Sequence, residues 1–115
     1  MNFCDSNCDH DWANPTYNDH YALTAPVGSY SEGDSPYGVL DMAGNVLEWV
    51  ADWYESEYYS ISKPNNPTGP SSGDYRVVRG GAWNSNGSYV QVTYRVRNTP
   101  TDKKDRIGFR CARSP

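Results

Sequence analysis

The sequence has little of what nucleic-acid-binding and membrane proteins need. Its 115 residues hold 10 Lys and Arg against 14 Asp and Glu, a formal net charge of -4 with no basic cluster. Binding to phosphate backbones needs a basic surface, so no nucleic-acid partner is expected. No apolar run approaches the roughly 20 residues of a membrane span, and the N-terminus lacks the basic start and apolar core of a signal peptide. The sequence therefore predicts a soluble chain with no membrane partner and no targeting signal.

Cysteine is also scarce. Three cysteines, Cys4, Cys8 and Cys111, cannot all pair within one molecule. Cys4 and Cys8 are consistent with a local disulfide, with reduced thiols, or with two ligands of a metal beside His10, although this spacing is a weak zinc pattern. The sequence leaves these alternatives open.

Aromatic residues are abundant where aliphatic ones are few. Ten tyrosines and four tryptophans predict an aromatic core for a single domain, residues 1–115. The densest apolar stretch is residues 37–54, YGVLDMAGNVLEWVADWY. Apolar side chains recur three and four residues apart there, which predicts a short amphipathic helix from near Asn45 with Trp49 and Trp53 as core anchors.

The rest of the chain predicts loops and strands. Residues 1–36 have almost no periodicity and predict an ordered irregular loop, and residues 55–74 predict a surface loop. Alternating apolar and polar residues predict strands at Arg76–Arg79, Ser88–Arg97 and 107–112. The predicted fold class is α+β, with one main helix, a small antiparallel sheet and little other regular secondary structure.

Acidic side chains surround the glycine bend of the aromatic stretch. Asp41 and Glu48 flank Gly44 and Asn45. Two carboxylates this close suit a hard cation that takes several oxygen ligands, such as calcium. The alternative is that Asp41 caps the helix and Glu48 is solvated, since the loop is not an EF-hand.

Four segments carry a family resemblance. GVLDMAGNVLEWVADWY, RVVRGGAW, the Tyr94-Arg95 pair and IGFRCAR resemble, in this order, the formylglycine-generating enzymes, also called sulfatase-modifying factors. Their fold is C-type-lectin-like. The likeness runs from about Asn2 to Arg113 and covers only the C-terminal part of a typical member, so it implies one domain truncated at its N-terminus.

The resemblance implies bound calcium, because these domains commonly hold two calcium ions. The first set of ligands falls on Asp41, Gly44, Val46 and Glu48. The second set falls on Asn2, Phe3, Asp19 and Tyr21. The acids and Asn2 would offer side-chain oxygens and the others backbone carbonyls, an all-oxygen set that suits a hard cation.

The resemblance also argues against catalysis. The family's enzymes oxidise a substrate cysteine with two cysteines that follow a Gly-Gly-Ser turn and bind copper. Here the turn after Arg79 ends in alanine, and the two cysteine positions fall on Ser85 and Val90. Neither side chain suits Cu(I), which prefers soft sulfur, so no copper and no catalytic residues are expected. Cys111 lies away from this motif and is expected to be a small buried residue.

A second resemblance is to the variable proteins of diversity-generating retroelements, which display ligand-contacting residues between the glycine turn and the final IGFR. That placement falls within residues 83–98 and selects Trp83, Asn84, Ser85, Asn86, Ser88, Tyr89, Gln91 and Thr93. A surface rich in Tyr, Ser and Asn suits adaptable recognition. Ordinary polar residues facing solvent are the alternative.

Together these features predict a calcium-stabilised, non-catalytic domain that binds a protein or small-molecule ligand through residues 83–98. One alternative is a formylglycine-generating oxidoreductase, or a fragment of one, acting on a sulfatase cysteine. Another is a structural module completed by self-association into a homo-oligomer, since a truncated compact fold exposes apolar surface.

Overall fold

The chain forms a small four-stranded sheet against which an irregular N-terminal half packs. The computed structural model describes residues 1–112. Its strands are β1 (Leu47–Trp53), β2 (Arg76–Arg79), β3 (Arg95–Asn98) and β4 (Ile107–Gly108). Its α-helix, α1, spans Tyr58–Ile61, and 3-10 turns lie at Ser31–Gly33 and Gly87–Tyr89. Within the described part, no helix has the length and apolar character to cross a membrane.

The sheet is mixed. Its strand order is β3-β2-β1-β4, with β1 antiparallel to β2 and β2 antiparallel to β3. β4 runs parallel to β1, with Leu47 opposite Ile107 and Glu48 opposite Gly108. The predicted antiparallel sheet is therefore wrong at this pair, because the connection after β3 carries the chain across to the far edge of the sheet.

The predicted helix from Asn45 is wrong, because this stretch forms β1. Leu47, Trp49 and Trp53 are also separated by even numbers of residues, so the same sequence meets the two-residue period of a strand. Tryptophan and valine favour strands. Pairing with β2 on one side, and with β4 at Leu47 and Glu48 on the other, engages backbone polar groups of β1 in a sheet.

Other predicted elements are confirmed in part. The strand at Arg76–Arg79 forms as predicted, and the last strand is reduced to Ile107–Gly108. The long strand predicted before it shrinks to Arg95–Asn98, since residues 88–94 form a turn and a loop. The short helix Tyr58–Ile61 lies in a segment predicted to lack regular structure.

The core is less aromatic than predicted. Its fully buried apolar residues are Phe3, Cys4, Ala25, Val77, Val78, Ala82 and Val90. Trp49 and Trp53 are only half-buried. The Trp53 ring lies against the guanidinium of Arg76, whose central carbon is 3.5 Å from the ring centre. The large rings therefore cover the sheet surface, while small aliphatic side chains fill its interior.

Asn45 joins three segments of the chain. Its backbone N–H donates to the carbonyl of Asn2 at 2.8 Å, and its own carbonyl accepts from the N–H of Trp83 at 2.9 Å. Its side chain accepts from the N–H of Ala25 at 3.0 Å and donates to the Ala25 carbonyl at 3.2 Å. This junction places the N-terminal residues beside the start of β1.

The cysteines adopt one of the predicted alternatives. Cys4 and Cys8 form a disulfide with their Cα atoms 5.0 Å apart. Cys111 is a free and exposed thiol, so its expected burial is wrong. It follows β4, where the two-residue strand ends and the chain leaves the sheet.

Candidate functional site

The second predicted calcium set comes together around the buried side chain of Asp19. Its carboxylate accepts the backbone N–H of Phe3 at 3.1 Å and that of Tyr21 at 2.9 Å. The hydroxyl of Tyr30 donates to the Asp19 carbonyl at 3.2 Å. Because Asn2 precedes Phe3, all four predicted residues lie on two short segments that meet at this carboxylate.

Two buried carboxylates occupy this region. Burial raises the pKa of Asp19, and the charge of Asp5 raises it further, against hydrogen bonds from the Tyr21 and Phe3 backbones. Burial would also raise the pKa of Asp5, but hydrogen bonds from Asn7 and Asp19 outweigh it and lower that pKa. The ionised form of Asp19 is therefore under-compensated, which is the condition that a bound cation relieves.

Asn2 supplies an orphaned oxygen beside this site. Its side-chain amide donates to the Leu23 carbonyl at 2.8 Å, whereas its Oδ1 is buried with no donor among residues 1–112. A buried acceptor without a partner costs about 1–3 kcal/mol. Asn2 directly precedes Phe3, whose N–H binds the Asp19 carboxylate, and its unpartnered oxygen is the kind of donor that a hard cation takes, so the second set has oxygens that suit calcium.

The guanidinium of Arg110 already lies at the first predicted set of calcium ligands. Both carboxylate oxygens of Glu48 accept from Arg110, Oε2 from Nε at 2.5 Å and Oε1 from Nη2 at 2.6 Å. Arg110 also donates to the carbonyls of Leu40 at 2.9 Å and Asp41 at 3.2 Å. The hydrogen bonds to Glu48 raise the pKa of Arg110, so its charge is fixed.

One carboxylate oxygen of Asp41 and the N–H of Gly44, though not its predicted ligand carbonyl, are also engaged. Oδ2 of Asp41 accepts the Gly28 N–H at 2.7 Å. Gly44 donates its N–H to the carbonyl of Gly80 at 2.7 Å. Over residues 1–112 no three His, Cys, Asp or Glu side chains are grouped to hold a metal, so any cation must use amide or backbone oxygens. Arg110 thus occupies the Glu48 carboxylate that calcium would need, and the first set stays a prediction.

The predicted ligand-binding residues divide into two groups. Trp83, Asn84, Ser85 and Asn86 are half-buried. Their turn is attached to the N-terminal half, because Cys4 donates its N–H to the Ser85 carbonyl at 3.0 Å and Trp12 donates its indole N–H to the Asn84 carbonyl at 3.1 Å. This turn has a structural role.

The second group is exposed. Ser88, Tyr89, Gln91 and Thr93 lie at the surface on a loop, where a strand was predicted. The side chain of Asn86 accepts from the N–H and hydroxyl of Ser88 at 3.0 Å and 2.9 Å, which fixes the start of this loop. The rings of Tyr89 and Tyr94 lie 5.2 Å apart. Residues 88–94 therefore present aromatic and polar side chains on an ordered loop.

The two positions that correspond to copper-binding cysteines have structural roles here. The hydroxyl of Ser85 accepts the Ala82 N–H at 3.0 Å. Val90 is buried against Gly81, where an added Cβ would lie 3.0 Å from the Val90 Cα. Ser85 lies beside the backbone of Cys4, whose sulfur is held in the disulfide with Cys8.

Sequence reasoning missed three residues that shape the site. Asp5 lies between the paired cysteines, Asn45 lies where the periodicity predicts the start of a helix, and Arg110 lies in the IGFR motif. The signal for Asn45 was its position after Gly44, since asparagine is one of the few residues that adopts a positive φ readily, and its φ is +67°. No local pattern pairs Arg110 with Glu48 across 62 residues.

The fold and site define the class of protein. A curled, mixed four-stranded sheet with long irregular connections is the C-type-lectin-like fold of formylglycine-generating enzymes, as predicted. The chain belongs to the sulfatase-modifying factor enzyme 1-like domain family, whose family model matches residues 3–115.

Named relatives support this membership. The chain is 46% identical over 95 residues to the serine/threonine-protein kinase pkn1 of Chlamydia pneumoniae, covering 81% of this chain and 15% of that protein. It is 41% identical over 100 residues to the formylglycine-generating enzyme of Streptomyces coelicolor, covering 84% of this chain and 31% of that enzyme. The chain thus spans less than a third of these relatives.

A solved structure agrees with the second resemblance. Variable protein 1 of Treponema denticola superposes with a TM-score of 0.64 at 37% identity, covering 76% of this chain and 31% of that one. The chain is therefore similar both to formylglycine-generating enzymes and to a variable protein.

Proposed function

We propose that the protein is a calcium-stabilised, non-catalytic binding domain that contacts a protein or small-molecule ligand through the exposed loop of residues 88–94. One observation carries the non-catalytic part: Ser85 and Val90 stand at the two positions that the resemblance matches to copper-binding cysteines. Cu(I) needs soft sulfur ligands. Since Cys4 and Cys8 are joined in a disulfide, Cys111 is left as a single thiol.

Calcium binding is supported by the second set of ligands. Asn2 and Asp19 offer side-chain oxygens, and Phe3 and Tyr21 are held beside Asp19 by their backbone N–H groups. A bound calcium ion would supply positive charge to the buried Asp19 carboxylate and a partner to the orphaned oxygen of Asn2. It would stabilise the fold and take no part in chemistry.

Ligand binding is supported by the loop. Half of the Tyr89 surface is exposed, at 50%, and Asn86 fixes the start of the loop through Ser88. A tyrosine on an ordered loop gives a large contact area at low cost in conformational entropy.

Thermal unfolding tests the calcium part. After exhaustive chelation, added calcium should raise the melting temperature, since a ligand at a hundredfold excess over its Kd contributes about 2.7 kcal/mol. Asp19→Asn should lose most of this gain, and Glu48→Gln should keep it. An equal gain in Asp19→Asn and the wild type would place the calcium away from the second set, and no gain at all would remove calcium from the proposal.

A display library of random peptides tests the binding part. Selected peptides should bind the Tyr89→Ala variant about tenfold more weakly than the wild type, as expected for an aromatic anchor. Tyr37→Ala is the matched control, since that tyrosine is 92% exposed and lies outside the loop. Peptides that respond equally to both variants would place the binding surface elsewhere.

The enzymatic alternative has a direct assay. The protein is incubated with Cu(I), oxygen and a cysteine-containing sulfatase-type peptide, and mass spectrometry detects conversion of the cysteine to an aldehyde. We expect no turnover above the metal-only control. Turnover that is lost in Cys111→Ser would establish an enzyme.

A further inference from the structure

One face of the sheet carries three arginines that form no ion pair within residues 1–112. Arg79 of β2 is directly opposite Arg95 of β3, and Arg97 lies two residues further along β3 on the same face. The ion pairs among residues 1–112 involve other basic side chains, although the chain has 14 acidic residues. A protein with a net charge of -4 thus keeps Arg95 and Arg97 on one face without an ion-paired carboxylate. Arg79 has Glu48 of β1 opposite it, but that carboxylate binds Arg110.

Tyrosine rings hold these guanidinium groups. The central carbon of Arg95 lies 4.2 Å from the ring centre of Tyr59, and that of Arg97 lies 5.1 Å from the ring centre of Tyr75. Arg79 donates to the Tyr59 hydroxyl at 2.8 Å. The ring of Tyr54 also lies beside Arg95. We call these six side chains the arginine–tyrosine face: Arg79, Arg95, Arg97, Tyr54, Tyr59 and Tyr75.

The arginines keep donors for a ligand. Contact with a ring uses the flat side of a guanidinium and leaves the N–H groups at its edge, which match a carboxylate in pairs. Exposed Arg97 donates no hydrogen bond to any residue up to 112. Arg95 uses one terminal nitrogen, at 3.2 Å from the carbonyl of Glu55, while its other nitrogens have no partner in the described range. Donors for two carboxylates are therefore available on β3.

The charge arrangement favours an anion. Like charges directly opposite each other destabilise a pair of strands, and Arg79 and Arg95 have this arrangement. Aromatic contacts and carbonyl hydrogen bonds orient the guanidiniums but leave their charge unneutralised. Carboxylates of a ligand would neutralise it.

The backbone beside these arginines suits an extended ligand. β3 lies at the edge of the described sheet, since the strand order is β3-β2-β1-β4. Extended peptides add to such edges through backbone hydrogen bonds. Every second side chain of an added strand points to the same face, and Arg95 and Arg97 have this spacing.

We propose that the arginine–tyrosine face binds an acidic peptide, which adds as an extended strand beside β3 and directs carboxylates on alternate residues toward Arg95 and Arg97. This inference rests on the proposed binding function and gives it a ligand class. A peptide fits better than a nucleic acid, because the net negative charge of the protein repels a long polyanion while a short segment meets only the local positive face.

Fluorescence anisotropy tests this with a labelled peptide that has glutamate at every second position and threonine between. Wild-type protein should bind it about fivefold or more tightly than a peptide of the same composition with contiguous glutamates, because only the first matches the arginine spacing. Arg97→Gln and Arg95→Gln should each weaken binding about tenfold, the effect of a lost charged hydrogen bond. Raised salt should weaken it further.

Arg76→Gln is the matched control. Arg76 lies on the other face of β2 against the ring of Trp53, so its loss should leave the affinity unchanged. Arg97 is exposed and has no hydrogen bond within the described residues, so its variant tests binding without disturbing folding, and thermal unfolding checks this.

Three outcomes would overturn the inference: no binding by wild type at low salt, equal binding of both peptides, or tighter binding of an oligothymidine through the same arginines. Different outcomes would reject the proposed function. Library peptides that depend on Tyr89, together with indifference to the acidic peptide, would preserve the binding domain and reject the acidic ligand. Acidic-peptide binding that depends on Arg97 but not Tyr89 would support this inference and move the surface from the loop to β3.

Discussion

The N-terminal 45 residues and the sheet that follows are stabilised by different interactions. The buried polar side chains among the described residues all belong to the first region: Asn2, Asp5, Asp19 and Asn45. Its only backbone ladder contact is an isolated bridge between Asp5 and Asn14. The sheet instead pairs its strands in register and buries aliphatic side chains such as Val77 and Val78.

The difference sets how each region responds to change. A buried polar group is favourable only when its partners are in place, so the first region depends on particular directional contacts. A sheet distributes its stability over many backbone hydrogen bonds and apolar contacts. We therefore expect single substitutions at the junction of the two regions to have the largest effects, and exposed charges on the sheet to have the smallest.

Gly44→Ala should have the largest effect. A Cβ on Gly44 would lie 2.1 Å from the backbone oxygen of Asn2, and the φ of Gly44 is +87°. Overpacking against backbone and a left-handed residue together should lower the free energy of unfolding by about 4 kcal/mol. Urea unfolding followed by tryptophan fluorescence would measure this.

Gly38→Ala is the matched control for this clash. Gly38 has a similar φ of +72° but no atom within 4 Å of an added Cβ. Only the strain of a positive φ should then lower its free energy of unfolding, by about 1 kcal/mol. Equal losses in the two variants would show that the N-terminal residues do not pack on Gly44.

Asn45→Ala should have the next largest effect, about 3 kcal/mol, because it leaves the buried N–H and carbonyl of Ala25 without partners. Asn66→Ala controls for the backbone, since Asn66 also has a positive φ, +48°, and is exposed. Thermal unfolding of both variants separates the two contributions. A loss in Asn45→Ala no larger than in Asn66→Ala would contradict the role of Asn45 as a junction.

The sheet region shows what the sequence could and could not predict. Arg76–Arg79 alternates cleanly and forms the predicted strand. Residues 46–53 satisfy both helical and strand periods, and only pairing with β2 and β4 decides between them. Short-range pattern cannot contain that information, since Ile107 is 60 residues from its partner Leu47.

The candidate site shows the same limit. The family resemblance brought Asn2 and Asp19 into one ligand set, and the fold places their segments together. It gave no indication that Arg110 would occupy the carboxylate of Glu48, because Arg110 lies two residues beyond the end of β4, where no strand alternation fixes its direction. Long-range charge pairing depends on the tertiary fold.

Loss of the disulfide should lower the free energy of unfolding by about 2 kcal/mol, since it closes only a short loop. A Cys4→Ala, Cys8→Ala double variant, compared with wild type by thermal unfolding, measures this loss. Cys111→Ser is the control, and as a substitution of an exposed residue it should change stability by less than about 0.5 kcal/mol. A double variant as stable as wild type would show that polar contacts hold the N-terminal region by themselves.

Of the sites compared here, the ion pair between Glu48 and Arg110 should contribute least to the free energy of unfolding. Its measurement also distinguishes the two predicted sets of calcium ligands. The side chains of Glu48 and Arg110 are 24% and 38% exposed. A double-mutant cycle with Glu48→Gln and Arg110→Gln should therefore give a coupling energy of about 1 kcal/mol. This is the upper end for exposed pairs, because two hydrogen bonds form. The single contact between Lys104 and Asp102 at 3.1 Å should couple by about 0.3 kcal/mol.

The same cycle repeated in calcium decides where the ion binds. Because the proposed site lies at Asn2 and Asp19, calcium should stabilise all members of the cycle equally and leave the coupling of Glu48 to Arg110 unchanged. An ion at Asp41 and Glu48 would have to displace the guanidinium, so calcium would abolish the coupling and Arg110→Gln would bind calcium more tightly than wild type. That result would make the start of the sheet, and not the N-terminal region, the part of the molecule that calcium stabilises.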